Sequence, residues 1–150
     1  MTQKERETLL KDLCSRLPYN PLCKVDGVDE PLKLIRIESD SVDGVLLLFD
    51  YKINNLPLEV YLSEVKPYLR LKSTMTEEEN EEYRKLQDKI AIGWDSYGQP
   101  NTYTYVDTIK SIDFLNSHHL DYRGLTGTEL ALEMSKEIYK LILDIIHQIT

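Results

Sequence analysis

The chain has 150 residues, 41% of them hydrophobic and 29% charged, with a formal net charge of −8. That length and balance fit one globular domain over residues 1–150, closing a single core. No apolar run approaches the roughly 20 residues that span a bilayer, and the acidic balance excludes broad contact with a nucleic-acid backbone or a polybasic membrane patch.

The opening Met1-Thr-Gln-Lys-Glu-Arg-Glu7 is charged with both signs and lacks the apolar centre of a signal peptide. A cytoplasmic chain is therefore expected. Cys14 and Cys23 are too few and too oddly spaced for a disulfide framework or a zinc knuckle. One falls on a predicted helix and the other in a predicted strand, and both are read as reduced, mostly buried thiols.

Thr2-Gln-Lys-Glu5 reads as a capping box, after which Leu9, Leu10, Leu13 and Leu17 recur at helical spacing. Pro18 and Asn20-Pro21 end that helix, which is placed at about Gln3 to Arg16. The period then changes. Leu22, Val25, Leu32, Leu34 and Ile37 alternate loosely with charged residues, as in half-buried strands, with Asp26-Gly27 and Asp29-Glu-Pro31 as turns.

A turn at Ser39 to Gly44 precedes Val45-Leu-Leu-Leu-Phe49, which is apolar on both faces and is expected to be the best-buried strand. A turn at Asn54-Asn55 leads to the alternating Leu58-Glu-Val-Tyr-Leu62. Ser63 to Arg70 reads as a short helical turn interrupted by Pro67.

Thr76-Glu-Glu-Glu79 is a second capping box, opening a polar surface helix to about Ile90 along a thin line of Tyr83, Leu86 and Ile90. Gly93 to Asn101 reads as a loop around Trp94, and Tyr103 and Tyr105 as a brief strand. Asp107 caps a helix carrying Ile109, Ile112, Phe114 and Leu115. From about Thr128, Ala131, Met134, Ile138, Leu141, Ile145 and Ile149 recur every three or four residues, with Ile142 and Ile146 widening the stripe. This predicts a long terminal helix, whose wide stripe is a possible homodimer surface. The fold class expected is α+β: an antiparallel sheet of three to five strands, with an N-terminal helix and C-terminal helices flanking it.

The densest polar chemistry lies in Phe114-Leu-Asn-Ser-His-His-Leu-Asp-Tyr-Arg-Gly-Leu125. His118, His119 and Asp121 are metal-ligand types, which would suit a metal-dependent hydrolase. Adjacent histidines on a helix point about 100° apart, however, and rarely hold one ion. A helix end whose histidines meet the carbonyls is the plainer reading, so neither metal nor cofactor is expected. Arg123 beside Gly124-Leu-Thr-Gly-Thr128 suggests a small anionic, nucleotide-like ligand held by backbone amides, with tyrosines such as Tyr122 stacking on it. The spacing matches neither a P-loop nor a dinucleotide fingerprint. No Gly-x-Ser-x-Gly elbow occurs, and no catalytic residue is assigned.

Ten tyrosines stand against two phenylalanines. Tyrosine suits recognition surfaces, and Trp94, Tyr97, Tyr103 and Tyr105 crowd one irregular stretch. They form either a recognition loop for a protein partner or the lid of a small core.

Four blocks, Leu9-Leu-Lys-Asp-Leu-Cys-Ser-Arg-Leu-Pro-Tyr19, Val65-Lys-Pro-Tyr-Leu-Arg70, Ser73-Thr-Met-Thr-Glu-Glu-Glu79 and Phe114 to Leu125, run through most of the chain. In this order they resemble a family of short uncharacterised proteins from gut Bacteroides genomes and their prophages. The resemblance brings no activity and no catalytic residues. It implies a bacterial or phage cytosol and a mobile-element setting. The chain departs from the family after Leu130-Ala-Leu-Glu133, where an apolar helix replaces a Pro/Gly-containing ending, which puts any shared oligomeric state in doubt. The leading expectation is a non-enzymatic binding protein that contacts a host protein.

Overall fold

The computed structural model describes the backbone of residues 1–39, 44–53 and 55–149, and side chains within these except 52, 53 and 145–149. Helix α1 (Gln3–Arg16) opens on the expected capping box, with Thr2 and Glu5 bonding each other's backbone amides. A single 3₁₀ turn, Leu17–Tyr19, follows, and Asn20 takes a left-handed conformation that redirects the chain.

Strands β1 (Leu22–Val25), β2 (Leu32–Glu38), β3 (Leu46–Ile53) and β4 (Leu56–Tyr61) form an antiparallel meander. Ile35 is the extra residue of a bulge between the Leu34–Phe49 and Arg36–Leu48 pairs, which turns its side chain to solvent. The turn expected at Ser39 to Gly44 lies largely outside the described residues, as does Asn54 of the following one.

After a 3₁₀ turn at Leu62–Glu64, β5 (Val65–Leu69) pairs antiparallel with the far side of β1. The segment expected to be a broken helical turn is thus mainly strand. Pro67 sits in it opposite Cys23, and the buried, exposed, buried alternation of Val65, Lys66 and Pro67 has period two.

Helix α2 (Glu77–Gln87) starts on the second capping box and ends earlier than Ile90. Strands β6 (Lys89–Trp94) and β7 (Pro100–Tyr105) then form a separate two-stranded hairpin. Most of the expected loop is therefore ladder, because Lys89-Ile-Ala-Ile-Gly-Trp alternates as a strand does, and a helix-spaced Ile90 fitted both periods.

Helix α3 (Thr108–Ser117) is capped by Asp107, whose Oδ1 accepts from Lys110 N. Strand β8 (Leu132–Glu133) adds in parallel beside β5, and α4 (Lys136–Ile149) closes the described chain. The terminal helix so begins eight residues later than its periodicity predicts. Leu130, Ala131 and Met134 fit a helical stripe, but Met134 N donates to Leu69 O at 2.7 Å, and pairing with β5 overrides the local pattern.

Among the described residues the main sheet has the order β4-β3-β2-β1-β5-β8, six strands rather than three to five. Leu9 and Leu13 of α1 pack on one face, against Val25, Leu34, Leu47, Phe49 and their neighbours. Leu47, Leu48 and Phe49 are all buried, as expected of a strand apolar on both faces. On the opposite face, Ile138, Tyr139 and Ile142 of α4 meet Leu22, Tyr68 and Met134. A third cluster joins α2 and α3 through Tyr83, Leu86, Phe114 and Leu115. Cys23 is buried in the first core, and burial pushes its thiol far up, whereas Cys14 is exposed rather than buried; both are free thiols. Among the described residues, no helix is long and apolar enough to cross a membrane.

Candidate functional site

The polar stretch from Phe114 to Leu125 runs from the end of α3 to the edge of the sheet, where residue 120 bridges in parallel to residue 70. Arg70 N donates to His119 O at 2.7 Å, and Asp121 N donates to Arg70 O at 2.8 Å. Its side chains then take separate partners. His118, at the C-terminal cap of α3, lies 4.2 Å from the Phe114 ring, with Nδ1 2.9 Å from Glu79 Oε2. His119 has positive φ, which swings its ring away into the interior. It is 3% exposed, and its Nδ1 finds no hydrogen-bond partner among the described residues. Burial first, then the nearby Arg16, brings its pKa down to about 4.

Asp121 serves the turn that follows it. Its carboxylate accepts from Leu125 N, Thr126 N and Thr126 Oγ1 at 3.1, 3.0 and 2.7 Å. Burial raises its pKa, but these bonds outweigh burial and leave it below the ordinary value. The amides of the Gly124 to Thr128 turn that suggested an anion site thus already hold the chain's own anion. Tyr122 Oη donates to Asn116 Oδ1 at 2.9 Å, and its ring lies against both Arg16 and Arg123, at 5.2 and 4.5 Å. Arg123 Nη1 donates to Asp12 Oδ1 at 2.8 Å and to Tyr122 Oη at 2.7 Å. Among the described residues, no three His, Cys, Asp or Glu side chains are grouped to hold a metal.

Two buried ion pairs lie beneath this stretch, and reading the sequence did not single them out. Arg16 and Asp12 are fully buried, paired at 2.9 Å, and Arg16 Nη2 donates to Leu120 O at 2.8 Å. Their signal was available: Asp12 and Arg16 stand at i, i+4 beside Leu9 and Leu13, on the stripe of α1 that faces the core. The second pair, Arg70 and Glu79, carried no such signal, because it spans two elements.

The aromatic stretch is organised differently. Ile90, Ile92 and Trp94 share one face of the hairpin and are 72%, 74% and 75% exposed. On the other face the Tyr103 ring lies over Gly93, where an added Cβ would come within 2.9 Å of it, and Tyr105 lies 6.3 Å from Tyr103. Asp95 Oδ1 accepts from Tyr97 N and Gln99 N, and Gly98 supplies the positive φ that closes the turn. Tyr97, at the tip, is the most exposed of these side chains, at 87%. Trp94, Tyr97, Tyr103 and Tyr105 are therefore carried by one ordered hairpin, and none of them lies in a buried core cluster of the described residues. The alternation of Ile90, Ile92 and Trp94 was the signal that completes the set.

The chain matches no protein-family model, no curated protein and no solved structure.

Proposed function

We propose that the chain is a non-enzymatic binding protein that docks on a basic protein partner through the β6–β7 hairpin. The observation that carries this reading is the bare face of Ile90, Ile92 and Trp94, each more than 70% exposed. A two-stranded hairpin on its own is marginal in water, and a contiguous exposed apolar face usually marks an interaction surface. Tryptophan and tyrosine are common anchors at such surfaces.

The partner's charge follows from the surroundings. Residues 77–107 carry eight acids against three bases, and with Glu79 buried against Arg70 the remaining seven still leave an excess of four negative charges. That field steers a basic surface toward the hairpin and repels an acidic one. The resemblance to prophage proteins favours a bacterial host protein as the partner.

The test is a pull-down from bacterial lysate with the wild type and with Trp94→Ser, at low and high salt. The expected result is a partner retained by the wild type at low salt, weakened by salt and lost with Trp94→Ser. A partner indifferent to both changes overturns the reading.

A further inference from the structure

We infer that the free edge of β6 is the docking element itself, and that it takes an extended basic segment of the partner as an added strand. The inference rests on the hairpin reading above and gives it a geometry.

The register decides which amides face outward. Trp94 pairs with Pro100, which has no N–H to donate, so this pair is of the non-hydrogen-bonded kind. Asp95 N donating to Gln99 O at 2.9 Å is the bond that such a phase requires. Stepping by two along the ladder, the pairs Ile92–Thr102 and Ile90–Thr104 are of the same kind. The N–H and C=O groups of Ile90, Ile92 and Trp94 therefore point away from β7, at a spacing of about 6.8 Å. Among the described residues the hairpin is a sheet of two strands, and no third strand takes them.

The two edges are not equivalent. On β7 the outward positions are Pro100, Thr102 and Thr104, and the first offers no donor. On β6 all three outward residues have a donor and an acceptor, and they are also the residues whose apolar side chains stand bare. An added strand thus gains ladder bonds and extends an apolar face in one step, which is strand-addition recognition. Edges of this sort are usually blunted by charge or proline. Here β7 has Pro100 and the outward positions of β6 have neither. A second copy of this chain would bring the same acidic stretch of residues 77–107 against itself, so charge selects a basic partner strand instead.

Trp94 is the chain's one tryptophan, so its emission reports occupancy of the edge directly. The probe is a synthetic peptide of alternating lysine and valine, titrated at low salt. A companion peptide carries glutamate in place of lysine, and a third has alternate backbone amides N-methylated. The expected result is a saturable blue shift with the lysine peptide and none with the other two. Ile92→Pro, which removes an outward N–H and no hairpin bond, should weaken binding about tenfold, the worth of roughly one hydrogen bond. Thr102→Pro on the other edge should leave it within about twofold.

Equal binding by the N-methylated peptide overturns strand addition while leaving face docking by the hairpin intact. No Trp94 response to any peptide also overturns it. A blue shift that grows with the protein's own concentration assigns the edge to a second copy and overturns the basic partner. The methylated peptide acts on the unaltered protein, so the test stands even if Ile92→Pro disturbs the hairpin.

Discussion

Arg70, just past β5, holds Glu79 in the first turn of α2 by two parallel bonds, Nη1 to Oε2 and Nη2 to Oε1, both 2.9 Å. The side chains are 6% and 10% exposed. The Tyr139 ring of α4 lies 4.2 Å from the guanidinium, and Arg70 Nη1 also donates to His118 O. One guanidinium therefore ties together the sheet edge, α2, the end of α3 and α4.

Glu79→Ala should cost about 3–5 kcal/mol, because it leaves a buried guanidinium unpaired and removes the carboxylate half of a capping box. Glu81→Ala, at an exposed pair on the same helix, should leave stability nearly unchanged. Urea denaturation of the two variants checks the contrast.

Asp12 answers two arginines, Arg16 in the core and Arg123 at the rim. Asp12→Ala is expected to destabilise by about 3–5 kcal/mol, since fully buried Arg16 loses its counter-charge. Arg123→Ala should cost about 1–2 kcal/mol, because that side chain is partly solvated and Arg16 keeps its partner. Removing both buried charges with Asp12→Leu and Arg16→Met should recover part of the loss, as shown by the denaturation midpoint.

Two groups contribute to the acid response in different windows. The pKa of His119 is down at about 4 in the fold against 6.5 unfolded, so the unfolded chain takes up its proton first. Its contribution is present in full above about pH 6.5, and about 3 kcal/mol is lost by pH 4. The Arg70 bonds bring the Glu79 carboxyl down to about 2 against 4.5, so its contribution is present above about pH 4.5 and is lost on approaching pH 2. His119→Leu should flatten stability between pH 6.5 and 4 and leave the lower window intact. Denaturation midpoints measured across pH test this.

Asp121→Ala removes the acceptor for Leu125 N and Thr126 N. Those two amides should exchange with deuterium faster, while the buried strands β1 and β3 keep their protection. Uniform loss of protection would show instead that the turn is part of the global unfolding unit.

Because the side chains of Ile90, Ile92 and Trp94 already stand in water, Ile90→Ser and Ile92→Ser should change stability by no more than about 0.5 kcal/mol each. Acrylamide should quench Trp94 nearly as well in the folded protein as in urea.

Both capping boxes, α1, the α3 start at Asp107 and the buried Leu47 to Phe49 run could be read directly, because each is a local pattern with a local cause. Three segments could not. Val65 to Leu69 becomes a strand because the flank of β1 accepts it, and Leu132-Glu133 becomes one because β5 in turn accepts it. Ile90 fitted a helix and a strand alike and Gly93 to Asn101 reads as a loop, and the pairing of Lys89 to Trp94 with Pro100 to Tyr105 made the stretch a ladder. Along the terminal helix, Ile142 is buried against the sheet and Leu141 is partly exposed, while the side chains of Ile145, Ile146 and Ile149 lie outside those described.

By itself the amino-acid order determined the class of fold, the acidic field and the two clusters of chemistry, since composition, periodicity and capping act over a few residues. What each cluster does was decided by tertiary structure. The polar run at His118 to Arg123 is drawn inward, because Glu79 and Asp12 approach from α2 and α1, and the turn amides take Asp121. The aromatic run is left outward, because its hairpin forms a sheet of its own, apart from the six-stranded one. Which side chains meet a partner within the chain, and which are left to meet one outside it, depends on contacts between residues far apart in sequence. No local pattern records those contacts.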